Sequence, residues 1–115
     1  MAEIDRMLEA NEQWAEQFPG SKPVRPARKV AVVACMDSRI PLFGVLGLEI
    51  GDAHVIRNAG GVVTEDVIRS LTISQHALGT REIVLIHHTN CGLMTTDDVS
   101  FSNAVTEATG RRPPW

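Results

Sequence analysis

"VAVVACMDSR", residues 30–39, decides how this chain folds. Six apolar residues run without interruption to Cys35, and Asp37 and Arg39 follow at once. No polar residue alternates with the valines, so the run reads as a strand covered on both faces, as in a parallel sheet. Two further stretches carry a similar signal. "AHVIRNAGG" reads as a strand over residues 53–57 entering a glycine loop, and "EIVLIHH" as a third buried strand over 82–88.

The segments between these strands supply helices. "IPLFGVLGLEIGD" is apolar and glycine-rich, which suits a short helical turn and a loop. Residues 64–78 read as a helix capped by Thr64, with Glu65 and Asp66 at the positive end of its dipole. Val67, Ile68, Leu71 and Leu78 form its apolar face, and Gly79 ends it. "TNCGLMTT" is a loop, residues 97–108 form another helix stopped by Gly110, and "RRPPW" cannot continue it. At the other end, Ile4, Met7, Leu8, Asn11, Trp14 and Phe18 recur at three-four spacing, so residues 3–18 read as an amphipathic helix. "PGSKPVRPARK", residues 19–29, holds three prolines and a glycine and reads as a linker.

Helix, strand, loop, strand, helix, strand, helix is the order of an α/β fold: an open, three-layer, mainly parallel sheet flanked by helices. One domain over residues 1–115 is expected, with helix and linker at 1–27 and the α/β core at 28–110. Hydrophobic residues make up 43% and charged residues 22%, which supports one modest core. A net charge of −3 argues against a nucleic-acid-binding surface. No apolar run approaches the roughly 18 residues of a membrane span. Glu3, Asp5 and Arg6 do not resemble the start of a secretory signal. A cytoplasmic protein is expected, and there two cysteines are free, catalytic or metal-bound rather than disulfide-linked.

In parallel sheets, ligand sites gather at the carboxyl ends of strands. The first strand ends in Cys35, Asp37 and Arg39, and the third leads into His88 and Cys91. If the two strands are neighbours, Cys35, His88 and Cys91 converge. Two thiolates and an imidazole favour Zn2+ held in a tetrahedron whose fourth position stays open. Cys35 alone would read as a core residue, and H-x-x-C alone is a weak signal; the pair of strand ends carries the argument. Asp37 and Arg39 stand two apart, on one side of an extended segment. They read either as a solvated ion pair or as a carboxylate fixed by a bidentate guanidinium. Such a carboxylate could orient hydroxide at the metal or occupy its fourth position.

"CMDSR", followed some fifty residues on by "HHTNCG", resembles the β-class carbonic anhydrases. "GDAHVIRNAGG" and "VTEDVIRSLTISQHALGT" resemble the same family, so that the likeness runs from about residue 28 to 94. The double histidine is similar to the small bacterial members. The resemblance implies zinc on Cys35, His88 and Cys91, with Asp37 and Arg39 as the catalytic dyad and Asp37 a fourth ligand in a closed state. His88 is the ligand because it stands three before Cys91, and His87 should point the other way. It also implies reversible hydration of carbon dioxide to bicarbonate and a proton, and a homodimer or higher homo-oligomer with the N-terminal helix lying across the partner. Packing of that helix on its own domain is the competing expectation. Asn90 stands where many members carry Asp, and little effect is expected. Members usually continue beyond the position of Trp115, so the C-terminal part of the family domain is expected to be absent.

Several smaller readings complete the sequence. Gly60 and Gly61 could bring backbone close to the site, although a simple turn is the preferred reading. His54 and His76 read as core or surface residues, and Met36 and Phe43 as packing residues. Two other functions remain open: a hydrolase for carbon disulfide or carbonyl sulfide on the same zinc, and an inactive zinc-binding domain. A thiol redox protein fits poorly, because the two cysteines lie 56 positions apart.

Overall fold

The computed structural model describes residues 2–115, with the side chains of residues 94 and 95 excepted. Its elements are helix α1 (Glu3–Glu16), strand β1 (Val30–Cys35), helix α2 (Leu42–Leu46), strand β2 (Ala53–Asn58), helix α3 (Glu65–Leu78), strand β3 (Glu82–Ile86) and helix α4 (Asp98–Thr109). Short 3-10 turns at Ala59–Gly61 and Gly92–Thr95 follow β2 and precede α4. The strands form one parallel sheet in the order β2-β1-β3. β1 is therefore central, and its C-terminal end lies beside those of both neighbours. Cys35 is level with Asn58, and Ala34 with Ile86.

The uninterrupted apolar run of β1 is explained by two cores, one on each face. Ala31 and Val33 pack with Val67 and Leu71 of α3. Val32 and Ala34 pack with Leu42 of α2 and with Leu48. Residues 31–35 are between 0% and 4% exposed. Burying a Val side chain contributes about 1.5–3 kcal/mol, so the four residues of 31–34 anchor the domain. α3 is delimited as expected. The Thr64 hydroxyl accepts a hydrogen bond from the Val67 N–H at 3.3 Å, and Gly79, at φ 79°, ends the helix in the left-handed region.

Three expectations are corrected. The third strand ends at Ile86, before His88, and it is not buried: Leu85 is 55% exposed. The reason is topological. β3 is an edge strand: Val84 and Ile86 pack against the Val32–Leu42 core, while Ile83 and Leu85 on its other face stay exposed. On α3, Ile68 is exposed while Ser74 is buried on the packed face. Ser74 tolerates burial because its hydroxyl lies 2.7 Å from both His54 Nδ1 and Thr80 Oγ1. Finally, α1 buries none of its residues, which rules out packing on its own domain as the use of its apolar stripe. It ends at Glu16, and Phe18 lies beyond it with its ring 5.1 Å from that of Trp14.

Candidate metal centre

The strand order brings the two suspicious strand ends together. Cys35 closes β1 and is 4% exposed; His88 and Cys91 lie in the loop that leaves β3. One ligand atom from each of the three lies within 4.8 Å of the others. The two sulfurs are 3.9 Å apart and both thiols are free. His88 is oriented by its own loop, since Nδ1 donates to the Thr89 carbonyl at 3.0 Å. That leaves Nε2 with a lone pair, and Nε2 is buried without a hydrogen-bond partner. A buried polar atom left unpaired beside two thiols is what a metal ligand looks like before its metal is counted. The donor set fits zinc, and three protein ligands leave a fourth position for a small molecule. His87 has a different partner: its Nε2 donates to the Gly61 carbonyl at 3.3 Å.

The electrostatics couple Cys35 and His88 as an ion pair while no metal is bound, and favour the thiolate that a metal needs. The Cys35 thiol is pulled from its ordinary value of 9.0 to about 7, chiefly by the neighbouring His88 imidazole. Burial opposes this, and the backbone N–H groups of Asp37 and Gly60 and the Cys91 thiol assist it. His88 is pushed up in turn, chiefly by Cys35, with burial opposing. Each therefore stabilises the charged form of the other.

Asp37 and Arg39 form the bidentate pair and not a loose surface contact. Arg39 Nε donates to Asp37 Oδ1 at 2.9 Å and Nη2 to Oδ2 at 2.6 Å, while the Arg39 backbone N–H adds a third bond at 2.8 Å. These bonds hold the Asp37 carboxyl well below the usual carboxylate range. Oδ2 lies 3.9 Å from His88 Nε2, which places the carboxylate at the rim of the ligand group. Arg39 Nη2 also donates to the Asn90 carbonyl at 3.0 Å. Asn90 has φ 56°, a region that Asn tolerates better than most residues. The dyad and the loop carrying Cys91 are thus tied together.

The glycines do more than turn the chain, contrary to the preferred reading. Gly61 has φ 64°, and a Cβ there would stand 2.8 Å from Cys35 N and 2.9 Å from both Ala34 C and Ile86 O. It is wedged between the ends of β1 and β3, where no side chain fits. A Cβ on Gly60 would stand 2.9 Å from Leu93 Cδ1. Gly60, Leu93 and Cys91 border two clefts, one of about 400 Å³ with Val62, His87 and His88, the other of about 190 Å³ with Cys35, Met36 and Asp37. His54 is bonded into α3 and lines neither cleft, and His76 is exposed, so neither belongs to the site. Met36 is exposed at the smaller cleft; Phe43 lines neither.

One contributor was missed from sequence. Arg57, on β2, donates through Nε to the Cys35 carbonyl at 2.9 Å and through Nη2 to the Asp37 carbonyl at 2.9 Å. Its only sequence signal is a charged residue inside the strand that precedes the glycine loop.

Comparison with known proteins points to one family. The sequence model described as carbonic anhydrase matches residues 30–110. Beta-carbonic anhydrase 1 of Mycobacterium tuberculosis is 52% identical over 115 residues, which is all of this chain and 71% of the relative. A carbon disulfide hydrolase of Acidithiobacillus thiooxidans is 39% identical over 105 residues, 90% of this chain and 52% of that protein. The crystal structure of a carbonic anhydrase from Streptococcus mutans superposes with a TM-score of 0.88 at 43% identity, covering 97% of this chain and 68% of the other.

Proposed function

This chain belongs to the β-carbonic anhydrase family, and from that premise we propose that it is a zinc enzyme hydrating carbon dioxide reversibly to bicarbonate and a proton. The observation that carries the reading is the convergence of Cys35, His88 and Cys91 beside the Asp37–Arg39 pair. We assign Cys35, His88 Nε2 and Cys91 as the zinc ligands. Bound zinc would supply Lewis acidity, which makes hydroxide available from water near neutral pH.

The remaining chemistry belongs to side chains of this protein. Asp37, kept ionised by Arg39, is acceptor-only, so a hydroxyl facing it must turn its hydrogen towards Oδ2 and its lone pairs away. That selects the orientation in which oxygen can attack a carbon. Val62, Leu93 and Gly60 give the larger cleft an apolar lining, suited to an uncharged linear substrate. The proton leaves by the solvent-open side of the cleft. Without Arg39, Asp37 could turn towards the fourth ligand position and close it.

Two thiolates cancel much of the metal's charge, so hydroxide becomes available later in the pH range than at a three-histidine site. Hydration should therefore rise from about pH 6 to about pH 9 in stopped-flow assays, and a flat profile would count against the mechanism. The relatives named carbon disulfide hydrolases favour one second reading, hydrolysis of carbon disulfide or carbonyl sulfide on the same site. Carbon disulfide turnover exceeding carbon dioxide hydration on one preparation would select it.

The exposed stripe of Ile4, Met7, Leu8 and Trp14 on α1, with the open face of β3, supports a homodimer in which α1 lies on a second copy. No described helix is long and apolar enough to cross a membrane. Two free thiols 3.9 Å apart suit a reducing compartment, and we place the enzyme in the cytoplasm.

A further inference from the structure

We infer that Arg57 is a positioning residue of the metal centre: its guanidinium clamps the carbonyls of Cys35 and Asp37, fixing a ligand and the dyad carboxylate relative to each other. The inference rests on the zinc-site reading above and deepens it.

The strand pairing explains why a clamp is needed there. β1 pairs with β3 only as far as Ala34, and with β2 as far as Cys35. Beyond that point the chain must leave the sheet while keeping Cys35 and Asp37 on the same side. The Met36 N–H is still held, donating to the Asn58 carbonyl at 2.7 Å. The carbonyls on either side of it, of Cys35 and Asp37, are both taken by Arg57 at 2.9 Å. A guanidinium is a planar fork with donors in fixed directions, so gripping two carbonyls two residues apart sets the path of the chain between them. That path leaves the Asp37 carboxylate beside His88, with Oδ2 3.9 Å from Nε2.

Charge points the same way. Among the described residues, Arg57 forms no ion pair with a carboxylate, although its side chain is exposed. A surface arginine held only by main-chain carbonyls is not serving a surface salt bridge. Its charge falls on the two peptide groups and strengthens those bonds, since hydrogen bonds from ionised donors are roughly twice as strong as neutral ones. The site thus uses two arginines, one from the loop after β1 and one from β2. Arg39 aims the carboxylate, and Arg57 aims the backbone that carries it.

The test compares the purified chain with Arg57→Gln and Arg57→Lys. Zinc affinity is read by competition with a chromophoric chelator, and thermal melting of the metal-free protein is read alongside. Lysine keeps the charge but cannot donate along two fixed directions. Both variants should bind zinc about 10–100-fold more weakly, the usual cost of removing an outer partner of a ligand, while the metal-free melt stays unchanged. Arg69→Gln, on the exposed side of α3, should leave zinc affinity unaltered. Unchanged zinc affinity in Arg57→Gln overturns the inference, and unchanged affinity in Arg57→Lys overturns the two-carbonyl clamp. Loss of a cooperative melt in both variants overturns it as well, because Arg57 would then serve folding in general. A wild-type chain that binds no zinc refutes the zinc-site reading itself, a result separate from all of these.

Discussion

β1 and β3 read alike in sequence and are opposites in the fold. "VAVVAC" and "EIVLI" are both apolar runs, and each delivers ligands at its C-terminal end. β1 lies at the centre of the sheet with a core on each face, and Val33 is fully buried. β3 lies at the edge, and Leu85 is 55% exposed. One candidate ligand, Cys35, therefore comes from the most deeply buried strand of the molecule. The other two, His88 and Cys91, come from a loop beyond an edge strand exposed at Ile83 and Leu85. The difference teaches that the site joins a strand end buried within this chain to a loop that follows an exposed edge strand.

The most severe way to break the comparison is to remove a ligand from the β3 side. His88→Ala should weaken zinc binding by more than the ~100-fold that outer contacts are worth, even though the β1 half of the site is untouched. Chelator competition measures it; near-normal affinity would mean that the loop ligands are dispensable. Next in size is the wedge between the two strands. Gly61→Ala should cost about 2–4 kcal/mol, from a left-handed backbone plus contacts under 3 Å with both strand ends, as read by urea unfolding.

Val33→Ala and Leu85→Ala sharpen the contrast directly. Val33→Ala should cost about 2 kcal/mol through lost burial and a cavity. Leu85→Ala should stay within about 0.5 kcal/mol at protein concentrations where the chain is monomeric. A larger, concentration-dependent cost at Leu85 would show a second copy seated on β3.

A graded effect concerns protons. Cys35 titrates at about 7 in the folded, metal-free protein, below its ordinary value of 9.0, and His88 titrates above its ordinary value. As pH falls through about 7, Cys35 takes up a proton, and the raised His88 holds its own proton to higher pH than an ordinary imidazole, so zinc competes with protons at both ligands. Zinc affinity should therefore fall by roughly tenfold or more per pH unit between pH 7 and 6, and release of protons on binding, read by calorimetry in two buffers, checks it. For the metal-free fold the signs differ by group. The depressed Cys35 value contributes stability above its unfolded pKa, lost as pH falls through about 7, while the raised His88 value contributes stability at low pH, lost as pH rises through its folded pKa.

Much of this was legible in the sequence because it depends on local pattern. The limits of β1, the cap at Thr64, the stop at Gly79 and the pairing of Asp37 with Arg39 are each set by residues within a few positions of one another. The convergence of Cys35, His88 and Cys91 was legible at longer range because parallel α/β topology restricts which strand ends can meet. What the sequence did not reveal depends on position in the assembled sheet. An exposed edge strand with an apolar sequence reads like a covered one, so the exposure of β3 was invisible. The burial of Ser74 left no mark in the apolar pattern because its partners, His54 and Thr80, come from β2 and from the turn after α3. Arg57 was missed because its acceptors are main-chain carbonyls, which leave no mark in sequence.

The central claim is that the two strand ends make one zinc site that hydrates carbon dioxide. It is tested most directly by the zinc content of the purified chain and its Cys91→Ser variant, loaded and dialysed together, with carbon dioxide hydration measured on both. The account predicts one equivalent of zinc and alkaline-favoured hydration in the wild type, and loss of both in Cys91→Ser. A wild-type chain that retains no zinc, or a Cys91→Ser variant that retains the wild-type zinc content and activity, would contradict it.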